Sequence, residues 1–457
     1  MAPTTYCLPL DSFDPLLCHL QFFPQGPGFL ESLNPSIKTG LYSIVPLRVT
    51  DSWSMSDGRL FHHLGNLQTE VEGNPLSILT SILSERAIEQ PTGTPFPGGF
   101  FGFFGYDFAQ QVEYLPQVAI RDLPVPQMYL DWVDLTAVYD HPRQCLTLAS
   151  LTSDIDLKTL AQQIVARQQE ELSRSQLHLR QPLQPILSPE RFMAMVATAR
   201  DYIAAGDIYQ ANLSCRFDGQ FRGESTELYH RLRQGNPAPF SCLLQWGDFA
   251  IISSSPERLV SLRGNLAEIR PIAGTRPRGS NITEDLQLSA ELLAHPKERA
   301  EHIMLLDLER NDLGKVCFSG SVKVDEMMVL EQYSHVTHIV SNVCGRLKKE
   351  LTPFDLIHAT FPGGTITGVP KKRCMEIIDE LEPVGRGSYT GSAGYISAGG
   401  EMDLNILIRS FQRVGNHLSY QVGAGIVADS DPESEWQECL AKGEALRKVL
   451  DDVATSG

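Results

Sequence analysis

Apolar and polar residues alternate with a strand rhythm through the first third of the chain, then give way in places to helical spacing. From Tyr6 to Leu151 strands and turns dominate. Leu135–Tyr139 and Cys145–Leu148 flank the turn-forming stretch Asp140–Gln144, which predicts a hairpin. Asp156 is placed to cap a helix in which Leu157, Leu160 and Ile164 share one face. Ser188-Pro189 opens another, with Phe192, Val196, Ala199 and Ile203 at helical spacing and proline in the favoured first turn. The polar segment Ser173–Gln184 reads as a linker. Beyond Gly206 strands and helices mix without regular βαβ alternation, so a doubly wound parallel sheet is not expected. Gly98, Gly99, Gly102 and Gly105 lack the strand–turn–helix grammar of a dinucleotide site.

One loop carries more chemistry than the others. Gly363, Gly364, Thr365, Thr367, Gly368 and Pro370 crowd a turn directly before the helical pattern Met375, Ile378, Leu381. A tight turn feeding a helix presents N–H groups and hydroxyls to an anion.

Composition narrows the class. A chain of 457 residues can bury one very large core or two ordinary ones. No apolar run approaches the roughly 18 residues of a membrane span, and the N-terminus lacks the features of a secretory signal. Nine cysteines without CxxC spacing argue against zinc or redox motifs and for reduced thiols in the cytoplasm. A net charge of −17 disfavours nucleic-acid binding, and an anionic small substrate would need local neutralisation.

Two acidic helices answer that need. Glu298 and Glu301 lie three apart after Pro296, and Glu435, Glu438 and Lys442 fall at i, i+3 and i+7 behind the capping residues Ser430 and Asp431. At about 100° per residue the last three share one helix face. Carboxylate pairs from two helices could converge on a hard divalent cation such as magnesium, or could equally be solvated faces.

The Phe361–Glu382 stretch resembles a signature of the chorismate-utilising enzymes. Further blocks match in family order: Gly206–Asn212, Ser255–Arg258, Pro271–Arg278, Asp307–Asp312, Thr337–Ser341 and Gly423–Asp429. The resemblance implies an α+β fold, with two large, mainly antiparallel sheets facing each other and helices outside. Residues 1–175 would form an N-terminal β-rich region and residues 188–452 the chorismate-binding region. It further implies that Glu298, Glu301, Glu435 and Glu438 hold Mg2+ against a substrate carboxylate. Glu257 would be the general acid for the departing C4 hydroxyl, which calls for a buried carboxyl of raised pKa. Gln210, Ala273 and Thr275 would stand at the reacting centre. His338, Thr365, Tyr389, Arg409 and Lys442 would orient substrate, with the backbone at Gly423, Ala424 and Gly425 holding a carboxylate. Ser32, Pro239, Phe240 and Ser241 resemble the pocket that holds tryptophan in relatives, in a regulatory or merely structural role.

Two positions bear on the reaction. Family members that add water use a lysine base where this chain has Gln210, and an amide cannot take that proton. Ammonia is therefore the expected nucleophile. The chain has no GxCxG-type cysteine elbow, so a separate glutamine amidotransferase subunit would supply it. Ala273 resembles anthranilate synthase component I, because many aminodeoxychorismate synthases carry a lysine there. The blocks at 206–214, 236–244, 361–364, 391–397 and 403–409 look more like aminodeoxychorismate synthase component I. Amination at C4 is the expectation, anthranilate formation the alternative, and an inactive chorismate-binding subunit the non-enzymic one.

Overall fold

The computed structural model describes residues 3–33, 39–170, 172, 175–279, 281–332 and 336–454; the side chains of Ala273 and Thr275 lie outside the described set. Two long strands, Tyr42–Ser56 and Met128–Asp140, pair antiparallel along their length, with register shifts between Pro46 and Asp51. Such irregularities bend a strand pair. Here the pair lies at the centre of one continuous hydrogen-bonded network, whose two wings are the two sheets.

On one side, Gly99–Phe104 joins Met128–Val133 and leads through Ser392–Ser397, Met402–Asn405, Arg258–Arg263 and Leu266–Ile269 to Val336–Arg346. On the other, Gly28–Glu31 pairs beside Ile44 and leads through Phe240–Trp246, Phe249–Ser255, Ser410–Val414 and His417–Ile426 to Gln210–Arg222. All these pairings are antiparallel. Phe100 and Val260 from the first sheet share a buried cluster with Leu213 and Ile252 from the second. The fold is the expected α+β architecture of large antiparallel sheets flanked by helices. Pairings such as Leu30 with Cys242 and Phe103 with Ala393 join the region 1–175 to the region 188–452.

The local signals act as the sequence implies. The hairpin forms between Met128–Asp140 and Cys145–Ser150. Asp156 accepts from Lys158 N and Thr159 N to start helix Leu157–Arg167, and Ser188 accepts from Arg191 N to start helix Pro189–Ala205. Phe192 of the latter packs on Trp436 of helix Pro432–Ala454, ring centroids 5.4 Å apart.

Two expectations are corrected. Three residues of the segment read as a linker are strand: His178 and Leu179, and Gln184 of the strand Gln184–Pro185, both strands pairing with Gln210–Arg222. Period-2 patterning cannot signal a strand two residues long. The thiols are also not all reduced. Cys7 and Cys145 form a disulfide, because Thr4–Pro9 pairs with Cys145–Ser150 and sets them on a diagonal, Cys7 opposite Thr147 and Cys145 opposite Pro9. The other seven cysteines are free and buried. Among the described residues no helix is long and apolar enough to cross a membrane.

Gly102 shows how tightly the first sheet is built. Its φ is +154°, and an added Cβ would overlap the Tyr129 carbonyl oxygen of the neighbouring strand. Gly102→Ala is expected to destabilise the protein by about 2–4 kcal/mol, read as a lowered urea midpoint at unchanged m value.

Candidate active site

The site lies where the two sheets meet the Gly363–Thr367 turn. Glu257 sits between strands Phe249–Ser255 and Arg258–Arg263, and its backbone is fixed on both sides. Its N–H donates to Ser255 Oγ (3.3 Å) and its carbonyl accepts from Ile406 N (3.0 Å). Ser255 Oγ in turn donates to Ile406 O (2.6 Å). The next residue, Arg258, makes a bidentate pair with Asp403 at 2.7 Å. A side chain anchored this way can be held in a pocket that it would otherwise avoid.

Burial is the largest influence on that carboxyl and pushes it up to about 7, against the opposing pull of the Thr365 hydroxyl, Arg409, the Ile272 N–H and Lys442. Thr365 Oγ1 itself closes no full hydrogen bond among the described residues, so its effect on Glu257 is one of proximity. Glu257 therefore carries a proton near neutrality while lying among cations. That is the property a general acid needs.

Arg409 adopts φ +53°, the left-handed region that few non-glycine residues occupy, and its carbonyl accepts from Ser254 N. His338 is buried and pushed down to about 4, first by burial and then by Arg409. It is a neutral imidazole at physiological pH. His338 faces Thr275 across the strand pair, next to a register shift at Gly274.

The opposite wall is built from two paired strands. Gln210 and Asn212 lie on one strand, and Gly423, Ala424 and Gly425 on the other, with Asn212 opposite Gly425 and Ser214 opposite Gly423. A Cβ on Gly423 would come within 2.6 Å of Asn212 Oδ1 and 3.0 Å of the Tyr389 hydroxyl; one on Gly425 would meet Gln210 Nε2 at 2.6 Å. Glycine is required at 423, where the Leu213 carbonyl oxygen would also lie 2.7 Å away; at 425 the Gln210 side chain would have to turn aside. Lys442 reaches the same wall, donating to the Gly423 carbonyl at 3.0 Å.

The four glutamates are on the helices the spacing indicated, Pro296–Val316 and Pro432–Ala454. Among the described residues no three His, Cys, Asp or Glu side chains converge as an ion-binding group. Arg276 contacts Glu298 at 3.3 Å, and Lys442 contacts Glu438 at 2.7 Å. The donor chemistry suits a hard divalent cation, and both ion pairs would have to be exchanged to assemble it.

Ser32, Pro239, Phe240 and Ser241 do come together, in a separate cavity also lined by Tyr42 and Arg263. Ser32 Oγ donates to Pro239 O at 2.9 Å.

Three features around the site escaped the sequence. Asn212 shares the wall with Gln210. Glu382 and Arg386 form a buried pair beneath it, signalled only by their i, i+4 spacing. Glu309 is buried behind the turn and pushed up by burial and by Asp312, which Lys371 contacts at 2.5 Å. Spacing alone gives no sign of that burial.

With this geometry in hand, the comparisons with known proteins agree. The chain belongs to the chorismate binding enzyme family, whose model matches residues 51–448. It is a chorismate-utilising enzyme. It is 40% identical over 427 residues to aminodeoxychorismate synthase component 1 of Bacillus subtilis, covering 91% of this chain and 90% of that protein. It is 48% identical over 367 residues to an anthranilate synthase component I-like protein of Synechocystis, covering 79% and 74% respectively. The crystal structure of anthranilate synthase component I from Streptococcus pneumoniae superposes with a TM-score of 0.78 at 33% identity, covering 95% of this chain and 97% of that one.

A carboxyl raised from 4.5 to about 7 on folding binds its proton more tightly in the folded state. Its contribution to stability is full below pH 4.5 and is lost as pH rises through 7. Relative to Glu257→Gln, the native protein should therefore lose about 3 kcal/mol between pH 4.5 and 8, measured by urea unfolding across that range. Parallel pH profiles for the two proteins would contradict the burial of this acid.

Proposed function

We propose that the chain is component I of an aminodeoxychorismate synthase, converting chorismate and ammonia to 4-amino-4-deoxychorismate. The observation that carries the reading is the buried, proton-bearing Glu257 beside Arg409, Lys442 and Thr365. Chorismate is a dianion, and Arg409 and Lys442 offer positive charge to its carboxylates while the glycine wall permits close backbone approach. Glu257 delivers its proton to the C4 hydroxyl, which leaves as water, and ammonia supplies the nitrogen in its place. Gln210 cannot deprotonate water, which supports ammonia as the nucleophile. A partner glutaminase would release that ammonia from glutamine.

Glu298, Glu301, Glu435 and Glu438 are the residues that would hold magnesium, which supplies positive charge for a substrate carboxylate when bound. The cavity lined by Ser32, Pro239, Phe240 and Ser241 would take a tryptophan-like ligand, in a regulatory or structural role.

Amination at C4 is supported by the 206–214, 361–364 and 403–409 blocks and by the high coverage of the Bacillus subtilis relative. Anthranilate formation is the second reading, supported by Ala273 and by the Synechocystis and Streptococcus relatives.

Incubating the full chain with chorismate, magnesium and ammonium, with no lyase present, separates the two. A product that yields 4-aminobenzoate only after lyase is added is expected. Fluorescent anthranilate with stoichiometric pyruvate would select the second reading. Glu257→Gln should lower kcat by about 10²–10⁴ with little change in the KM for chorismate. Magnesium binding followed by calorimetry should be lost in a Glu301→Gln, Glu438→Gln double variant, and excess chelator should abolish turnover; activity untouched by chelator would remove the metal from the reading.

A further inference from the structure

The Thr365 hydroxyl is buried beside Glu257 and closes no full hydrogen bond among the described residues. With no partner to grip that side chain, its place is set by the backbone of the Gly363–Thr367 turn. That backbone is anchored on either side of Thr365. Thr367 Oγ1 donates to Gly363 O at 2.8 Å, Arg386 to Ile366 O at 3.0 Å and Asn212 N to Thr367 O at 2.9 Å. The Gly364 N–H, immediately before Thr365, donates to the carboxyl of Glu309.

Glu309 lies on helix Pro296–Val316, eleven residues after Glu298 and so about 20° from it around the axis. Its side chain is buried. A Cβ on Gly364 would lie 3.0 Å from Glu309 Oε1 and would overlap the Leu308 side chain, so the glycine lets helix and turn pack in direct contact. The Glu309 carboxyl is pushed up first by burial and then by Asp312, with Glu257 adding to both and Lys371 and the Gly364 N–H opposing. Asp312 is itself paired with Lys371 and Lys315, at 2.5 and 2.9 Å. Glu309 is thus held toward its neutral form. In that form it accepts from Gly364 without setting a second negative charge beside a dianionic substrate.

We propose that Glu309 is a positioning residue for the reaction: it grips the Gly364 N–H and so sets the Thr365 hydroxyl against the acid Glu257. The assignment rests on the reading of Glu257 as proton donor given above. Thr365 favours the ionised form of Glu257, so its placement limits how tightly the acid holds the proton that it must deliver. An acid that holds its proton too tightly is a slow donor. The role needs an oxygen acceptor at position 309 rather than a charge.

The test follows Glu257 in the full chain without substrate, by NMR of isotope-labelled glutamate carboxyls, its signal being the one missing in Glu257→Gln. Glu309→Met keeps the side-chain length and removes the acceptor. The Glu257 titration should then move up by about 0.5–1 in pH, because Thr365 no longer favours the carboxylate. Glu309→Gln retains an acceptor oxygen and should restore the native titration. Glu309→Asp, which withdraws the oxygen by one methylene, should give a smaller upward shift, and it reads the same relation if Glu309→Met does not fold. Adding Glu309→Met to Thr365→Val should move Glu257 no further than Thr365→Val alone. In turnover with chorismate and ammonium, kcat should fall about tenfold in Glu309→Met and be rescued to within about twofold in Glu309→Gln. An unmoved titration in Glu309→Met and Glu309→Asp would overturn the assignment. A downward shift in any of the three variants would also overturn it, since that is the effect of removing or moving a negative charge. The titration needs no turnover, so an upward shift supports the positioning role even if the native chain fails to aminate chorismate at C4.

Discussion

The Glu382–Arg386 ion pair, with both side chains almost wholly removed from solvent, holds the elements of the site in register. Taking two charges out of water is costly unless the remaining donors and acceptors are also satisfied. Here they are. Glu382 accepts from Ser214 N at 2.8 Å and Ser214 Oγ at 2.6 Å, and Arg386 donates to Asn212 O at 2.7 Å and Ile366 O at 3.0 Å. One pair therefore ties the Gln210–Arg222 strand to the turn that carries Thr365. The guanidinium also lies over the rings of Tyr106 and Tyr389, 4.8 and 5.7 Å from their centroids. The wall, the turn and Tyr389 cannot shift separately.

Around that anchor, burial and charge are set against each other. In a chain of net charge −17, the reacting pocket is a place where Arg409 and Lys442 both bear on one carboxyl. Those cations would ordinarily strip its proton. Burial outweighs them, and Glu257 stays protonated near neutrality. The same burial, reinforced by Arg409, keeps His338 neutral. Acid and imidazole are thus poised by opposite consequences of one environment.

Local features were legible because their causes are local. The caps at Asp156 and Ser188, the hairpin across Asp140–Gln144 and the helix after Pro370 each follow from a few neighbouring residues. The acidic helices were legible as helices, but the partners Arg276 and Lys442 depend on how distant segments dock. The Cys7–Cys145 pairing spans 138 residues and has no spacing signature. The strands at His178 and Gln184 exist only because Gln210–Arg222 is beside them. Burial of Asn212 Oδ1 and Glu309 likewise depends on register, which periodicity does not reveal.

The two glycines opposite Gln210 and Asn212 also shape how such a site can change over evolutionary time. Gly423 is closed to variation, since an added Cβ would lie 2.7 Å from the Leu213 carbonyl oxygen of the facing strand, whereas at Gly425 it would meet only the end of the Gln210 side chain. Positions 210 and 212 on that facing strand carry side chains, so the pocket beside Gly423 is shaped from there. Side chains at 210 and 212 can be exchanged without altering the backbone ladder that pairs the two strands, so the pocket can be recut while the sheet that holds it stays the same.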